Sequence, residues 1–270
     1  GQKVKNLHRP FIDQITIEED GEIYTRVSDV LDCWFESGSM PFAQKHYPFE
    51  NKKWFEENFP ADFITEYIAQ TRGWFYTLTV MSVALFNKAP FKNVICHGTI
   101  LDEKAQKLSK RLQNYPDPVK IFEDIGSDAM RFYLLSTPVM KGQELKMSKD
   151  GKEIIETSRI AIKPLLNAYN FFCLYANSDG IRANKIDKNY PVNNVMDIYI
   201  LSKLKDCCQN IEKSLDNYDC VSACFEFNSF FEVLNNWYIR RSRERCWKKE
   251  IDQDKKDAYN ILYTIILTIC

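Results

Sequence analysis

Long apolar runs are missing from this 270-residue chain, and their absence removes membrane-spanning proteins from consideration first. The longest near-apolar stretch, Trp74 to Phe86, holds Thr77, Thr79 and Ser82 and is too short to cross a bilayer. The leading Gly-Gln-Lys-Val-Lys-Asn lacks the apolar segment of a secretory signal. Excess charge of one sign is also missing: 36 Lys+Arg stand against 37 Asp+Glu, a net charge of -1. That balance excludes a general basic nucleic-acid binder and confines any RNA contact to a local patch. Histidine is scarce, with His8, His46 and His97 far apart. The nine cysteines contain no C-x2-C knuckle and no disulfide-like spacing. Cys207-Cys208 and Cys220-x3-Cys224 are the only cluster. They read as small buried hydrophobes with reduced thiols, in a cytoplasmic setting and with no tightly bound metal. Neither G-x4-G-K-[ST] nor G-x-G-x-x-G occurs, which weighs against an unrelated nucleotide-binding enzyme. There is no internal repeat and no low-complexity tract.

What is present reads as two textures. Short β-rich runs, Gln14 to Glu18 and Glu22 to Val27, flank Glu19-Asp20-Gly21 and predict a hairpin. Val30 to Phe35 reads as a short buried strand closed by Ser37-Gly38. Trp74, Leu78, Met81 and Leu85 recur at helical spacing and predict a buried helix between Gln70 and Phe86. Asn93 to Ile100 is the best second strand. Strand, helix, strand in that order suggests a βαβ unit and a parallel α/β sheet. After a polar loop from Asp102 to Asn114, short helices are expected near 118–125 and 127–136. Beyond Gly151 glycine and proline become rare and long helical patterns dominate. One stripe runs Ile198, Leu201, Leu204, Cys208, Ile211, Leu215. Cys220 to Lys249 reads as a second long helix, and a third carries Ala258, Ile261, Leu262, Ile265, Ile266 and Ile269. No helix-stop signal follows that last stripe, so the chain is expected to be a piece of something longer.

The chemistry concentrates in Lys107-Leu108-Ser109-Lys110-Arg111, a polar loop just after a predicted parallel strand. Ligands of α/β sheets bind outside the carboxyl ends of the strands, where this loop hangs. Two lysines three apart, with a serine and an arginine, can converge on a polyphosphate and stabilise charge that develops there. By itself, such a loop is most often a solvated surface. Lys146-Met147-Ser148-Lys149 spells a similar string, but with no strand predicted before it. It reads as a helix start or linker.

Lys107 to Arg111 followed by Leu112-Gln113-Asn114-Tyr115-Pro116-Asp117-Pro118 resembles the KMSKS signature loop of class I aminoacyl-tRNA synthetases. Asp32 to Pro41, Gln70-Thr71-Arg72-Gly73-Trp74-Phe75 and Trp237 to Arg243 are similar to the isoleucyl-tRNA synthetases in particular. The resemblance covers nearly the whole chain. It implies activation of isoleucine by ATP with Mg2+ as substrate, then transfer to tRNA(Ile), and no membrane partner. Position by position, Lys107 and Lys110 would hold the pyrophosphate moiety in the catalytic step. Ser109 would support the loop, Arg111 would lie on the nucleotide side with it, and His97 and Gly98 would flank the nucleotide. Glu66 and Gln70 would face the adenylate, and Trp34 and Trp74 would wall the isoleucine side chain. Arg240, Arg241 and Arg243 would meet tRNA, although such arginines, with Arg245, commonly decorate a solvated helix face.

The chain departs from the family at Leu108, usually Met, and at Tyr67 and Ala69, often Gly and Asp. His-x-Gly-His and the editing insertion are absent. The expected fold class is α/β plus all-α: the second half of a Rossmann-type parallel sheet followed by a helical bundle. The expected domains are the C-terminal half of the catalytic domain (1–104), the lysine loop with a connecting helical segment (105–152), and a truncated anticodon-binding helical domain (153–270). The chain alone is expected to be inactive, since the histidine signature is not in it. The alternative is a non-catalytic tRNA-binding or assembly module derived from a synthetase.

Overall fold

In a computed structural model of the chain, residues 4–29 and 32–270 are described. The chain forms two compact units, residues 1–64 with 69–93, and residues 65–68 with 94–270.

In the first unit a one-turn helix α1 (Arg9–Ile12) precedes a hairpin of β1 (Thr16–Glu19) and β2 (Glu22–Thr25). Glu19 pairs with Glu22, and the two loop residues Asp20 and Gly21 both have positive φ, as a two-residue hairpin turn requires. The run expected as a strand at Val30 to Phe35 is instead helical from Cys33, in α2 (Cys33–Ala43); Val30 and Leu31 lie outside the described residues. Asp32 decides the matter. Its carboxylate accepts from the Trp34 N–H at 3.3 Å as an N-cap, and Glu36 suits the positive end of the helix. Ser37 and Gly38 close nothing: the Ser37 hydroxyl donates to the Cys33 carbonyl, and Gly38 is buried against Thr77.

Helix α3 (Lys52–Asn58), strand β3 (Ala61–Tyr67), a 3-10 turn (Ile68–Arg72), α4 (Trp74–Phe86) and β4 (Phe91–His97) follow in order. β3 and β4 form a two-stranded sheet, so β3 takes the place of the first strand in the expected strand–helix–strand unit. Helix α4 is half-exposed rather than buried. Its buried face is Phe75, Leu78 and Ser82, whereas Leu85 is 57% exposed.

In the second unit β5 (Ile100–Leu101) pairs in parallel with β6 (Leu145–Lys146). Between them lie α5 (Pro118–Asp124), capped by Asp117 and opened by proline, and α6 (Ser127–Leu135). The Lys146 to Lys149 string is therefore neither the helix start nor the linker that the sequence suggests. Lys146 is in β6, and Met147 is buried and donates its N–H to the Leu101 carbonyl at 2.9 Å. Buried Ser148 donates its hydroxyl to Glu153.

Helix α7 (Lys152–Thr157) continues through a π-helical turn (Ser158–Ile162) into α8 (Lys163–Ser178). Pro164 has no N–H to offer the Ile160 carbonyl and its ring crowds that carbonyl, which accounts for the widened turn. Helices α9 (Val195–Asp216), α10 (Cys220–Glu232), a second π-helical stretch (Val233–Ile239), α11 (Arg240–Trp247) and α12 (Gln253–Ile269) complete the bundle. Its core gathers Ile200, Leu204, Phe231, Leu234, Ile261 and Ile265. The buried stripe of α9 is Asp197, Ile200, Leu204 and Cys207, a phase different from the expected one: Ile198 and Leu215 are about half exposed. Cys207, Cys224 and Cys246 are buried, whereas Cys208 is exposed and Cys220 only partly buried, so the cluster expected to be buried is buried only in part. Burial pushes the Cys207 thiol up to about 12. The fold class is mixed α/β with a helical bundle, in agreement with the sequence reading. Among the described residues no helix is long and apolar enough to cross a membrane.

Candidate functional site

The lysine loop leaves β5 and is shaped by two side chains that the motif itself does not include. The Asp102 carboxylate accepts from the backbone N–H groups of Lys104 (2.9 Å) and Gln106 (2.8 Å), closing a tight turn. Asn114 works from the other end. Its side-chain oxygen accepts from the Ser109 N–H at 3.0 Å, and its nitrogen donates to Asp102 at 2.8 Å and to the Lys107 carbonyl at 3.3 Å. The Asn114 hydrogen bond, then that of Gln106, holds the Asp102 carboxyl below the usual carboxylate range. The Ser109 hydroxyl accepts from the Leu112 N–H at 3.2 Å. Leu108, the position usually held by methionine, packs on the cluster of Ile121, Tyr133 and Met147. With Leu108 anchored, Lys107, Lys110 and Arg111 are exposed, and among the described residues none of them makes an ion pair.

Beside the loop is a second group. The Lys107 ammonium lies 5.3 Å from the centre of the Tyr67 ring, within cation–π range. The Tyr67 ring centre is 6.2 Å from that of His97, whose Nε2 is 4.0 Å from a Glu66 carboxylate oxygen. The same oxygen of Glu66 accepts from the Tyr67 N–H at 2.8 Å. His97 Nδ1 lies 3.0 Å from the Gly98 carbonyl, which can only accept, so Nδ1 carries the proton. Nε2 is left facing Glu66. The structure thus brings Lys107, His97 and Glu66 together through Tyr67, a residue that sequence reasoning noted only as a departure. Gly98 has a packing role of its own: a Cβ there would lie 1.8 Å from the Gln143 carbonyl oxygen. Only glycine permits that approach.

In the first unit Gln70 uses its side-chain oxygen to accept from the Trp74 N–H at 2.9 Å, capping α4. The Trp74 indole N–H donates to the Ser37 carbonyl at 3.0 Å, fixing the ring against α2. Trp74 lines a small apolar cavity of about 140 Å³ with Met40, Trp54, Phe59, Ile64 and Leu78. Trp34 is not part of that lining. It is 40% exposed and lies against Gly73, where a Cβ would sit 3.1 Å from its ring and 2.6 Å from Gln70. Both tryptophans and Gln70 therefore surround the Gln70–Trp74 turn without sharing one closed cavity.

The arginines on α11 separate by environment. Arg240, Arg241 and Arg243 are exposed, with Arg241 5.4 Å from the Trp237 ring centre. Arg245 does not belong to a solvated face. It grips Asp197 with two hydrogen bonds of 2.7 and 2.8 Å and donates to Asp254 at 3.1 Å, while Tyr238 donates to Asp197 at 2.7 Å. Asp197 is 1% exposed. For Asp254 burial acts upward, but hydrogen bonds from Asn194 and Arg245 outweigh it and hold the carboxyl low.

A family model for class I tRNA synthetases (I, L, M and V) matches residues 1–148, and one for the anticodon-binding domain of tRNA ligases matches residues 197–270. The first match covers more than half of the chain, and the chain belongs to the class I tRNA synthetases. Over an alignment of 274 residues it is 58% identical to isoleucine–tRNA ligases from Rickettsia canadensis and Rickettsia typhi. Those alignments take in 100% of this chain and 25% of each relative, so it spans about a quarter of the length of the curated relatives it matches. Among solved structures, a methionyl-tRNA synthetase from Mycobacterium tuberculosis in complex with methionyl-adenylate superposes with a TM-score of 0.69. It is 17% identical and covers 87% of this chain and 46% of its own. LeuRS from Agrobacterium radiobacter K84, in a ternary complex with tRNA and LeuAMS, has a TM-score of 0.68 at 16% identity. It covers 93% of this chain and 30% of its own. These two support the fold.

Proposed function

We propose that the chain is part of an isoleucine–tRNA ligase, comprising the C-terminal half of the catalytic domain (1–104), the lysine loop and connecting helices (105–152), and the start of the anticodon-binding bundle (153–270). The observation that carries this reading is the stapled lysine loop after β5, with Lys107 and Lys110 presented to solvent, in a chain so similar to isoleucine–tRNA ligases. In the reaction an isoleucine carboxylate oxygen attacks the α-phosphorus of ATP, supplied as the Mg2+ complex, and pyrophosphate leaves. Lys107 and Lys110 stabilise the charge that accumulates on the departing phosphates. Ser109 keeps the loop in register and Arg111 adds positive charge on the nucleotide side. His97, Gly98, Glu66 and Gln70 line the adenylate, and Trp34 and Trp74 supply rigid apolar surface for the side chain. A ribose hydroxyl at the tRNA 3′ end then attacks the acyl carbon and AMP leaves, with Arg240, Arg241 and Arg243 contacting tRNA phosphates. The setting is cytoplasmic. A module kept only for RNA binding or assembly has no use for the lysine loop.

The experiment is Lys110→Ala in the full-length protein. Adenylate formation is expected to slow by about 10²-fold or more, in the range of a lost oxyanion contact, while the isoleucine Kd holds. Equal losses in rate and isoleucine binding would overturn the assigned role.

A further inference from the structure

The mechanism makes no use of a cavity of about 560 Å³ in the bundle, between the start of α8 and the face of α10. Phe225, Asn228, Ser229 and Glu232 lie at i, i+3, i+4 and i+7 and present one face of α10. Asn235 and Asn236, in the π-helical stretch that follows, extend the wall, and Asn167 of α8 faces it. π-helical turns recur at functional sites, and here both such turns of the bundle border one cavity. The lining is rich in side-chain amides. The Asn228 oxygen is buried and has no hydrogen-bond partner among the described residues, although a group of this kind is normally satisfied. Asn235 spends its nitrogen on the Phe231 carbonyl at 3.1 Å, which leaves its oxygen to accept.

The chemistry of the lining selects the ligand. It holds no cation, so it is not a site for a phosphate or a free carboxylate. One carboxylate, Glu232, is too few for a divalent cation site. Amides present a donor and an acceptor side by side, the pattern that reads the edge of a nucleobase. Phe225 is 67% exposed at the rim, a ring face open for stacking. Beyond the π-helical stretch, on α11, Arg240 and Arg243 are exposed and make no ion pair among the described residues.

We propose that this cavity receives one unstacked nucleobase of a bound RNA, stacked on Phe225 and read by the asparagine amides, while Arg240 and Arg243 hold the adjoining phosphates. The inference rests on the reading that the chain binds tRNA. The test measures binding of a tRNA(Ile) transcript to the full-length protein by fluorescence anisotropy across a series of salt concentrations. Phe225→Ala and Asn228→Leu are each expected to weaken binding about ten-fold with the salt slope unchanged, as loss of one base contact does. Asn236→Ala, at an exposed position that leaves the core intact, is expected to weaken binding in the same way. The paired Arg240→Ala and Arg243→Ala variant is expected to lower the salt slope by about 1.4 to 1.8. One unpaired nucleotide protected from base modification by the wild-type full-length protein is expected to become reactive with Asn228→Leu. Wild-type binding matched by all three cavity variants would overturn the base subsite and leave the tRNA reading standing. No binding by the wild-type full-length protein at any salt concentration would overturn both.

Discussion

Asn114→Ala is the most informative single change at the lysine loop, because it deletes three hydrogen bonds and no contact proposed for substrate. Alanine leaves the Ser109 N–H, the Lys107 carbonyl and the Asp102 carboxylate without the Asn114 side chain. The first two are neutral bonds of about 1 kcal/mol or less each. The loop conformation is therefore expected to lose about 1–2 kcal/mol, a factor of about 5–30 in its population. The bond to Asp102 adds to this in the same direction. Because the loop can open without the core opening, the cost falls on the loop and global unfolding is expected to be nearly unchanged. In the full-length protein the assay is isoleucine-dependent ATP–pyrophosphate exchange. The expected result is kcat lowered about 5–30-fold, KM for isoleucine held, and Tm preserved. Asn114→Asp should do worse than alanine, because it loses the donor and sets a second carboxylate against Asp102. Full activity in Asn114→Ala would refute the staple, and a Tm loss proportionate to the activity loss would make it part of the global fold instead.

Two further perturbations test the frame around the site. Gly98→Ala must displace backbone at Gln143, so it is expected to cost about 3 kcal/mol, the upper end for overpacking. Urea unfolding checks it, and wild-type stability would contradict the close approach. Arg245→Ala strands the buried Asp197 carboxylate and is expected to cost about 3–5 kcal/mol by chemical denaturation, whereas Asp197→Leu with Arg245→Met should cost less than Arg245→Ala alone. A loss below about 1 kcal/mol for Arg245→Ala would return Arg245 to the solvated face.

Much of this was legible because the local signals are strong. Asp117-Pro118 announces α5, and the α12 stripe from Ala258 to Ile266 is buried as its spacing says. The Val30 to Phe35 run misled because a short apolar run cannot by itself tell strand from helix, and Asp32, an N-cap with Glu36 behind it, was the overlooked arbiter. On α9 the stripe of aliphatic side chains hid the true phase, because a buried position there is Asp197, which enters the core only with Arg245 as partner. No pattern within α9 shows that partner 48 residues away. The lysine motif stood out as a string. Its staple did not, since Asp102 and Asn114 flank it and meet only once the loop is folded. The short strand β6 is equally unreadable locally, because it exists by pairing with β5.

The central claim is isoleucine activation, and ATP–pyrophosphate exchange by the full-length protein with isoleucine, valine and leucine in parallel tests it most directly. The account predicts exchange led by isoleucine, together with none from the 270-residue chain alone. Exchange led by valine or leucine, or none with any of the three, would contradict it, as would isoleucine-dependent exchange by the isolated chain.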